Sequence, residues 1–269
     1  MFPKRSRTET AGQRLDLLSV SLLLGGVLLC YYLVPLVSLV ARQPPGVVVQ
    51  RLQSPAIVSA AATSVTASLV SAGIAGAFGV PLAYWLARAD GRVKTLVTAL
   101  VVLPLVLPPI VSGMVLLTVV GPGTLLGRLA SAHGVPLTRS LLGVVLAQTF
   151  VASPFVVVTA KAAFERVDPQ LEDASRSLGT SRLGTVRRVT LPLAWPGVFA
   201  GITLAFARSI GEFGATIMLA YYPRTMPVQI WVSFTTLGLD NAFPVAVVLV
   251  VVAVAALVVL DVLGSNPVE

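Results

Sequence analysis

Charged residues divide the chain into long uncharged segments, and the length of each segment matches the thickness of a lipid bilayer. A helix needs about 20 predominantly apolar residues to cross a hydrocarbon core of about 30 Å. Backbone groups in lipid must be hydrogen-bonded within the spanning segment, so we interpret each stretch as a transmembrane helix. Six spans are predicted, at residues 17–41, 55–87, 95–127, 140–160, about 196–220 and 241–260.

Two features of these segments predict how the helices pack. Small residues recur at every fourth position of the second span and form a ridge that allows close helix approach. The third and fourth spans contain prolines, which bend helices and remove backbone donors. These bends fit either ordinary kinks in a helix bundle or helices that line the pathway of a transporter. The residues concerned are Ser64, Ser68, Ala72 and Gly76 for the ridge, and Pro104, Pro108, Pro109 and Pro154 for the bends.

The composition supports a membrane protein. The chain has 269 residues, of which 56% are hydrophobic and only 11% charged, and its mean hydropathy is +0.91. A soluble domain carries about 25% charged residues, so a soluble enzyme and a disordered tail are excluded. The single cysteine, Cys30, excludes a disulfide scaffold. We therefore predict an all-α integral membrane protein with a bundle of six transmembrane helices.

The positive charge is distributed as expected for a membrane protein rather than for a nucleic-acid-binding protein. The net charge is +8, but the 19 basic residues form no long run and have no interleaved aromatic residues, so we predict no nucleic-acid partner. With six spans, 13 basic residues fall on the side of the N-terminus and five on the other, with Arg208 inside a span. The positive-inside rule then places both termini in the cytoplasm.

The predicted organisation follows from this orientation. Residues 1–16 form a cytoplasmic N-terminal segment, residues 17–263 form the transmembrane domain, and residues 264–269 form a short cytoplasmic tail. The first span follows basic residues, as the apolar region of a signal peptide would. Its apolar region of 25 residues is too long for that assignment, and no small-residue cleavage site precedes Arg42. We expect a retained membrane anchor in contact with lipid.

The longest hydrophilic stretch, at about residues 161–195, has the pattern of two short amphipathic helices. Asp168 followed by Pro169 is typical of a helix start, and Gly179 is suited to ending that helix in a left-handed conformation. A second short helix is predicted to follow and to stop at Pro192. Apolar residues line one side of each helix, which favours a docking element for a cytoplasmic partner. A loop lying on anionic headgroups would explain the basic second helix but not the acidic first one.

The residues of this loop resemble the EAA motif of binding-protein-dependent ABC importer permeases. An acidic residue, glycine and Leu-Pro occur at the spacing of the motif, with Asp for its Glu, Ser for its second Ala and Val for its Ile. In that family the motif forms a coupling helix that seats on the ATPase subunit. The resemblance therefore implies a coupling function for Glu172, Asp173, Ala174, Ser175, Gly179, Val189, Leu191 and Pro192.

A second motif, in the fifth span, narrows the implied substrate. Residues 207–216, ARSIGEFGAT, resemble the segment that follows the EAA loop in molybdate, tungstate and sulfate permeases, and the FGAT form is closer to the molybdate and tungstate branch. The resemblance implies a permease homodimer in the cytoplasmic membrane of a prokaryote, with a separate ABC ATPase subunit and an extracytoplasmic oxyanion-binding protein. The outward segment at residues 221–227 is shorter than the corresponding turn of such permeases, which leaves sulfate or thiosulfate as an alternative substrate.

The fifth span also carries charge inside the membrane. Arg208 and Glu212 are four residues apart, so they face the same side of a helix and can pair. A charge at mid-bilayer costs about 2.5–3.5 kcal/mol on insertion scales, so such residues normally face protein or water. Two interpretations remain open: a structural ion pair, or an anion path formed by Arg208 with Ser209, Glu212 and Thr216.

Several kinds of chemistry are missing from the sequence. No phosphate-binding loop with a glycine followed by lysine occurs, and no nucleophile–base pair or metal-ligand cluster is evident. We therefore predict no catalytic residue, no metal and no cofactor in this chain, with ATP hydrolysed by a partner. An intramembrane enzyme and a passive channel remain the alternatives from other functional classes. The enzyme would need more polar groups at one membrane depth, and the channel would have no use for a docking loop.

Overall fold

The computed structural model describes residues 7–265, so residues 1–6 and 266–269 of the predicted terminal segments lie outside the described range. The described residues form α-helices joined by short turns, without a strand among them. The helices are α1 (Arg7–Ala41), α2 (Pro45–Leu52), α3 (Pro55–Arg88), α4 (Arg92–Val106), α5 (Pro109–Val120), α6 (Leu125–Ala132), α7 (Leu141–Glu165), α8 (Pro169–Ser177), α9 (Arg182–Thr185), α10 (Leu191–Ile210), α11 (Gly214–Leu219), α12 (Met226–Leu237) and α13 (Leu239–Ser265), with a π-helical turn at Val186–Thr190.

The all-α membrane fold is confirmed. Within the described residues, five helical segments are long and apolar enough to cross a membrane, and the bent pair α4–α5 makes a sixth if it is one span. The segments are Ser19–Ala41, Pro55–Arg88, Leu141–Glu165, Arg182–Ile210 and Leu239–Leu260. The chain divides into two compact units, Met1–Val48 and Val49–Glu269, each with most of its contacts inside itself. The first unit contains α1, and the second contains all helices from α3 onward.

The third predicted span is wrong as a single helix. The chain turns by 118° between α4 and α5, at Leu107 and Pro108. A residue before proline is driven into the extended region, and Leu107 has ψ 134° while Pro108 has ψ 134°. Pro104 is accommodated inside α4. The two consecutive prolines therefore break the helix instead of kinking it.

The fifth predicted span is wrong at its start. The helix does not begin near Pro196 but runs from Arg182 to Ile210 through α9, the π-helical turn and α10. Pro192 does not stop a helix, because it directly follows the π-helical turn at Val186–Thr190, where the N–H of Leu191 bonds to the carbonyl oxygen of Val186 and the regular α-helical hydrogen-bonding pattern is already interrupted. The helix ends at Gly211, and the short α11 follows after Phe213.

Small residues allow α3, α7 and α10 to pack closely in the second unit. The predicted ridge on α3 is buried, since Ser64, Ser68, Ala72 and Gly76 are all inaccessible to solvent. A Cβ atom on Gly201 of α10 would lie 3.2 Å from the backbone of Val156. Larger residues fill the end of this interface near Arg88. They include Leu86, Val157, Phe164, Val167 and Val198.

Candidate functional site

The segment between α7 and α10 (residues 166–190, here the α7–α10 loop) is held in a defined conformation by local caps. The Asp168 carboxylate accepts a hydrogen bond from the N–H of Gln170 at 2.9 Å and caps α8. After α8, Gly179 has φ +88°, a left-handed conformation that strains other residues. Ser181 then caps α9 by accepting a hydrogen bond from the N–H of Gly184. The predicted two-helix arrangement with a glycine junction is therefore present.

A partly buried ion pair connects α8 to the end of α3. Arg88 donates to Oε1 of Glu172 through Nη2 at 2.7 Å and Nε at 3.2 Å. The same oxygen accepts a hydrogen bond from the Thr190 hydroxyl at 3.0 Å. Arg88 also donates to the carbonyl oxygens of Phe164 and Val167. This Arg88–Glu172–Thr190 cluster joins α3, α7, α8 and the π-helical turn.

The environment of Glu172 favours its charged form. Burial alone would raise the pKa of this carboxyl. The hydrogen bonds from Arg88 and Thr190, with the positive charges of Arg88 and Arg176, outweigh burial and lower the pKa below its ordinary value. Glu172 is therefore a carboxylate at neutral pH and faces the interior of the chain, not an external partner.

The other predicted coupling residues occupy different positions in the loop. Asp173 is largely exposed and forms an ion pair with Arg176 within α8. The Ser175 hydroxyl lies 3.2 Å from the Thr185 hydroxyl and links α8 to α9. Ala174 and Pro192 are exposed, whereas Val189 and Leu191 are half-buried. The loop therefore has an inner side, whose residues contact the helices of this chain, and an outer side, whose residues are exposed.

The outer side of the loop exposes large apolar side chains. Leu178 is 87% exposed and Leu183 is 79% exposed, and Leu171 of α8 is also exposed. Exposure of a leucine side chain to water is unfavourable in free energy. Exposed apolar patches are typical of interaction surfaces. These three leucines are exposed apolar side chains of one loop, which is the composition expected of a docking surface.

The predicted Arg208, Ser209, Glu212 and Thr216 come together at the break between α10 and α11. Arg208 and Glu212 form an ion pair of 2.5 Å between Nη2 and Oε2. The Glu212 side chain is buried, and its Oε1 accepts a hydrogen bond from the N–H of Ala215 at 2.8 Å. Glu212 thus caps the start of α11 and neutralises Arg208, whose side chain is 28% exposed.

Two hydroxyl groups at this break are buried without partners. Ser209 Oγ and Thr216 Oγ1 have no hydrogen-bond partner among the described residues. An unpaired buried hydroxyl costs about 1–3 kcal/mol, so both groups are available to water or to a ligand. On α5, which packs against α11, Ser112 Oγ is buried in the same unpaired state. Ser112 carries no sequence signal that separates it from an ordinary helix residue.

Glycines allow the backbones of α5 and α11 to touch. A Cβ on Gly113 would lie 2.8 Å from the carbonyl oxygen of Ala215, and a Cβ on Gly214 would lie 2.9 Å from the N of Ile110. Neither site accommodates a side chain without backbone movement. The two interrupted helices therefore meet through their first turns, close to the Arg208–Glu212 pair.

Sequence reasoning missed the residues that fix the loop from a distance. Arg88 is 84 residues from Glu172 in the chain, and Thr190 is 18 residues away. A basic residue at the end of an apolar span signals a membrane boundary, but it does not indicate its partner. Only the tertiary structure places Arg88 beneath α8.

The chain is similar to a protein family and to named relatives. Residues 79–265 match the family described as the binding-protein-dependent transport system inner membrane component. The chain is 61% identical over 250 residues to a probable molybdenum ABC transporter permease protein of Haloferax volcanii, covering 93% of this chain and 91% of that protein. It is 34% identical to the molybdate/tungstate transport system permease protein WtpB of Pyrococcus abyssi, covering 88% and 91%.

A solved structure has the same fold. A bacterial ABC transporter involved in the import of the acidic polysaccharide alginate superposes with a TM-score of 0.67 and 18% identity, covering 98% of this chain and 100% of that chain. This likeness shows the fold, and the family match covers most of the sequence. The chain belongs to the family of binding-protein-dependent transport system inner membrane components, which makes it a multi-pass membrane permease.

Proposed function

We propose that the chain is the transmembrane subunit of an ABC importer that carries a tetrahedral oxyanion, molybdate or tungstate, across the cytoplasmic membrane of a prokaryote. The observation that carries the proposal is the similarity over nearly the whole chain to a molybdenum permease. Sulfate or thiosulfate is the alternative substrate. The chain itself would be non-catalytic, with ATP hydrolysed by a partner subunit.

The exposed leucines of the α7–α10 loop support docking of that ATPase. Leu171, Leu178 and Leu183 would insert into an apolar cleft of the partner, while Asp173 at the rim would meet its basic groups. The Arg88–Glu172–Thr190 cluster would transmit movement, because it fixes α8 to α3 and to the start of α10. Closure of two ATPase subunits would then move two such loops together.

The remaining partners follow from the same proposal. Two copies of the permease would form the pore around an axis along the membrane normal. An extracytoplasmic binding protein would deliver the oxyanion at the opposite end from the loop. Both termini would be cytoplasmic, as the distribution of basic residues favours.

The translocation path is proposed to pass the break between α10 and α11. Arg208 supplies positive charge, and Ser209 and Thr216 supply hydroxyl donors that lack partners among the described residues. Glu212 would limit how tightly an anion binds, because its carboxylate already neutralises Arg208. Weak binding suits a path, since an anion held tightly in the membrane would not be released.

Uptake by the reconstituted assembly tests this function. Proteoliposomes would contain the permease, its ATPase and its binding protein, with ATP inside and labelled molybdate outside. We expect ATP-dependent uptake that unlabelled tungstate suppresses at lower concentration than sulfate does. The reverse order of competition would favour the sulfate alternative, and uptake without ATP would contradict the importer function.

A further inference from the structure

A cavity of about 280 Å³ lies between the end of α3 and the α7–α10 loop. Its lining comes from Tyr84, Arg88, Glu172, Arg176, Arg182 and Thr185. A water molecule occupies about 30 Å³ in the liquid, so the cavity has room for an ion of the size of phosphate with several waters. Three guanidinium groups around one small cavity are unusual for a connector whose only function is to join two helices.

The three arginines differ in how much of their hydrogen-bonding capacity is used. Arg88 is engaged by Glu172 and by two backbone carbonyl oxygens. Arg176 donates to the carbonyl oxygen of Glu172 and pairs with Asp173. The Arg182 side chain forms no hydrogen bond and no ion pair within residues 7–265. The cavity therefore contains one guanidinium group with all of its donors available.

The charge around the cavity is unbalanced. Its lining carries three positive groups and one negative group, and the Asp173 carboxylate paired with Arg176 leaves an excess of one positive charge. The Oε1 atom of Glu172 already accepts hydrogen bonds from both Arg88 and Thr190. A guanidinium group presents paired N–H donors that match the oxygen spacing of phosphate-type anions. The ligand that fits this lining is an anion with several acceptor oxygens.

We infer that this cavity binds a tetrahedral oxyanion of the phosphate class, held chiefly by Arg182 and Arg176. The bound ion connects α8 and α9 at the point where the loop rests on α3, so its presence stiffens the loop. Two sources have this chemistry: a free oxyanion from the aqueous phase, and the phosphate of a lipid headgroup. Both sources are compatible with the position of the cavity, because it lies at the end of α3, a helix that is long and apolar enough to cross a membrane.

The inference does not depend on which ion the permease transports, and a binding measurement tests it separately. The full chain would be placed in nanodiscs of phosphatidylcholine, and binding of labelled inorganic phosphate would be measured by equilibrium dialysis. A second set of nanodiscs would contain labelled phosphatidic acid, whose retention by the protein would be measured after exchange with unlabelled phosphatidylcholine. Saturable binding in the first set identifies a free ion, and selective retention in the second set alone identifies a lipid.

Arginine variants identify the site. Arg182→Gln removes the free guanidinium group, and we expect it to weaken the binding found in either set by about tenfold or more, as expected for loss of a charge-assisted hydrogen bond. Arg176→Gln is expected to weaken binding in the same direction. Arg187→Gln is the matched control, because Arg187 is an exposed arginine of the same loop that does not line the cavity.

The contradicting outcomes are equally specific. If neither phosphate nor phosphatidic acid binds above the background of empty nanodiscs, the inference is wrong. It is also wrong if Arg182→Gln and Arg187→Gln weaken binding equally, since the anion would then respond to net charge alone. ATP-dependent uptake by the same variants reports on the proposed function, so failure of one conclusion is distinguishable from failure of the other.

Discussion

The Glu172→Gln substitution tests whether the Arg88–Glu172–Thr190 cluster fixes the loop to the membrane helices. Glutamine keeps the shape and one acceptor oxygen but removes the charge that Arg88 neutralises. Removing one partner of a fully buried ion pair costs about 3–5 kcal/mol. Arg88 is 23% exposed and retains the carbonyl oxygens of Phe164 and Val167, so we expect a smaller loss of about 2 kcal/mol.

Thermal unfolding of the full chain in detergent measures this loss. For a chain of this size, about 2 kcal/mol corresponds to a decrease in Tm of about 4–8 °C. The effect should depend on pH, because the folded-state pKa of Glu172 is lower than the ordinary value of about 4.5 for a glutamate carboxyl. A lowered pKa contributes stability that is present above about 4.5 and is lost as pH falls through the folded-state value. The difference between wild type and Glu172→Gln should therefore shrink in acid.

Asp173→Asn provides the matched control for this experiment. It removes a carboxylate from the adjacent position, but Asp173 is 68% exposed and its pair with Arg176 is solvated. Such surface pairs contribute about 0–1 kcal/mol, so its Tm should remain close to wild type. The reasoning would be refuted if the two variants unfolded at the same temperature, or if the Glu172→Gln difference persisted unchanged at acidic pH.

Three further substitutions test the proposed docking surface, the anion path and the helix contact. Leu178→Asp places a charge on the exposed leucine surface, so it should abolish co-purification of the ATPase while Leu178→Met retains it; equal recovery would contradict docking there. Arg208→Gln removes the positive charge that Arg208 places at the α10–α11 break, so ATP-dependent oxyanion uptake should fall about tenfold or more with the complex intact; normal uptake would refute the path. Gly214→Ala adds a Cβ 2.8 Å from Pro109 and should cost about 1–3 kcal/mol, whereas Gly73→Ala, with nothing within 4 Å, should not lower Tm.

The membrane fold was predictable from sequence because hydropathy and charge act locally. The ends of α3 and α7 lie within a few residues of the predicted spans, since these helices are bounded by polar or charged residues. The conformation of the α7–α10 loop was also predictable in part. Its caps, Asp168 and Gly179, act within a few residues and leave a sequence pattern.

Interrupted and continuous helices were harder to distinguish. Pro108 breaks the third span and Pro192 leaves its helix intact, although both are prolines near apolar residues. Pro108 follows Leu107 in the extended region, whereas Pro192 follows the π-helical turn at Val186–Thr190. Packing of α11 against α5 stabilises the first break, and such a contact between distant segments has no counterpart in local periodicity.

The continuous helical segment from Arg182 to Ile210 connects the α7–α10 loop directly to the Arg208–Glu212 pair. It has 29 residues without an intervening loop, and at about 1.5 Å per residue Arg182 and Arg208 lie about 39 Å apart along its axis. A tilt of about 10° about one end would displace the other end by about 7 Å. Under the proposed function, a movement imposed on the loop would reach the Arg208–Glu212 pair through one continuous helical segment.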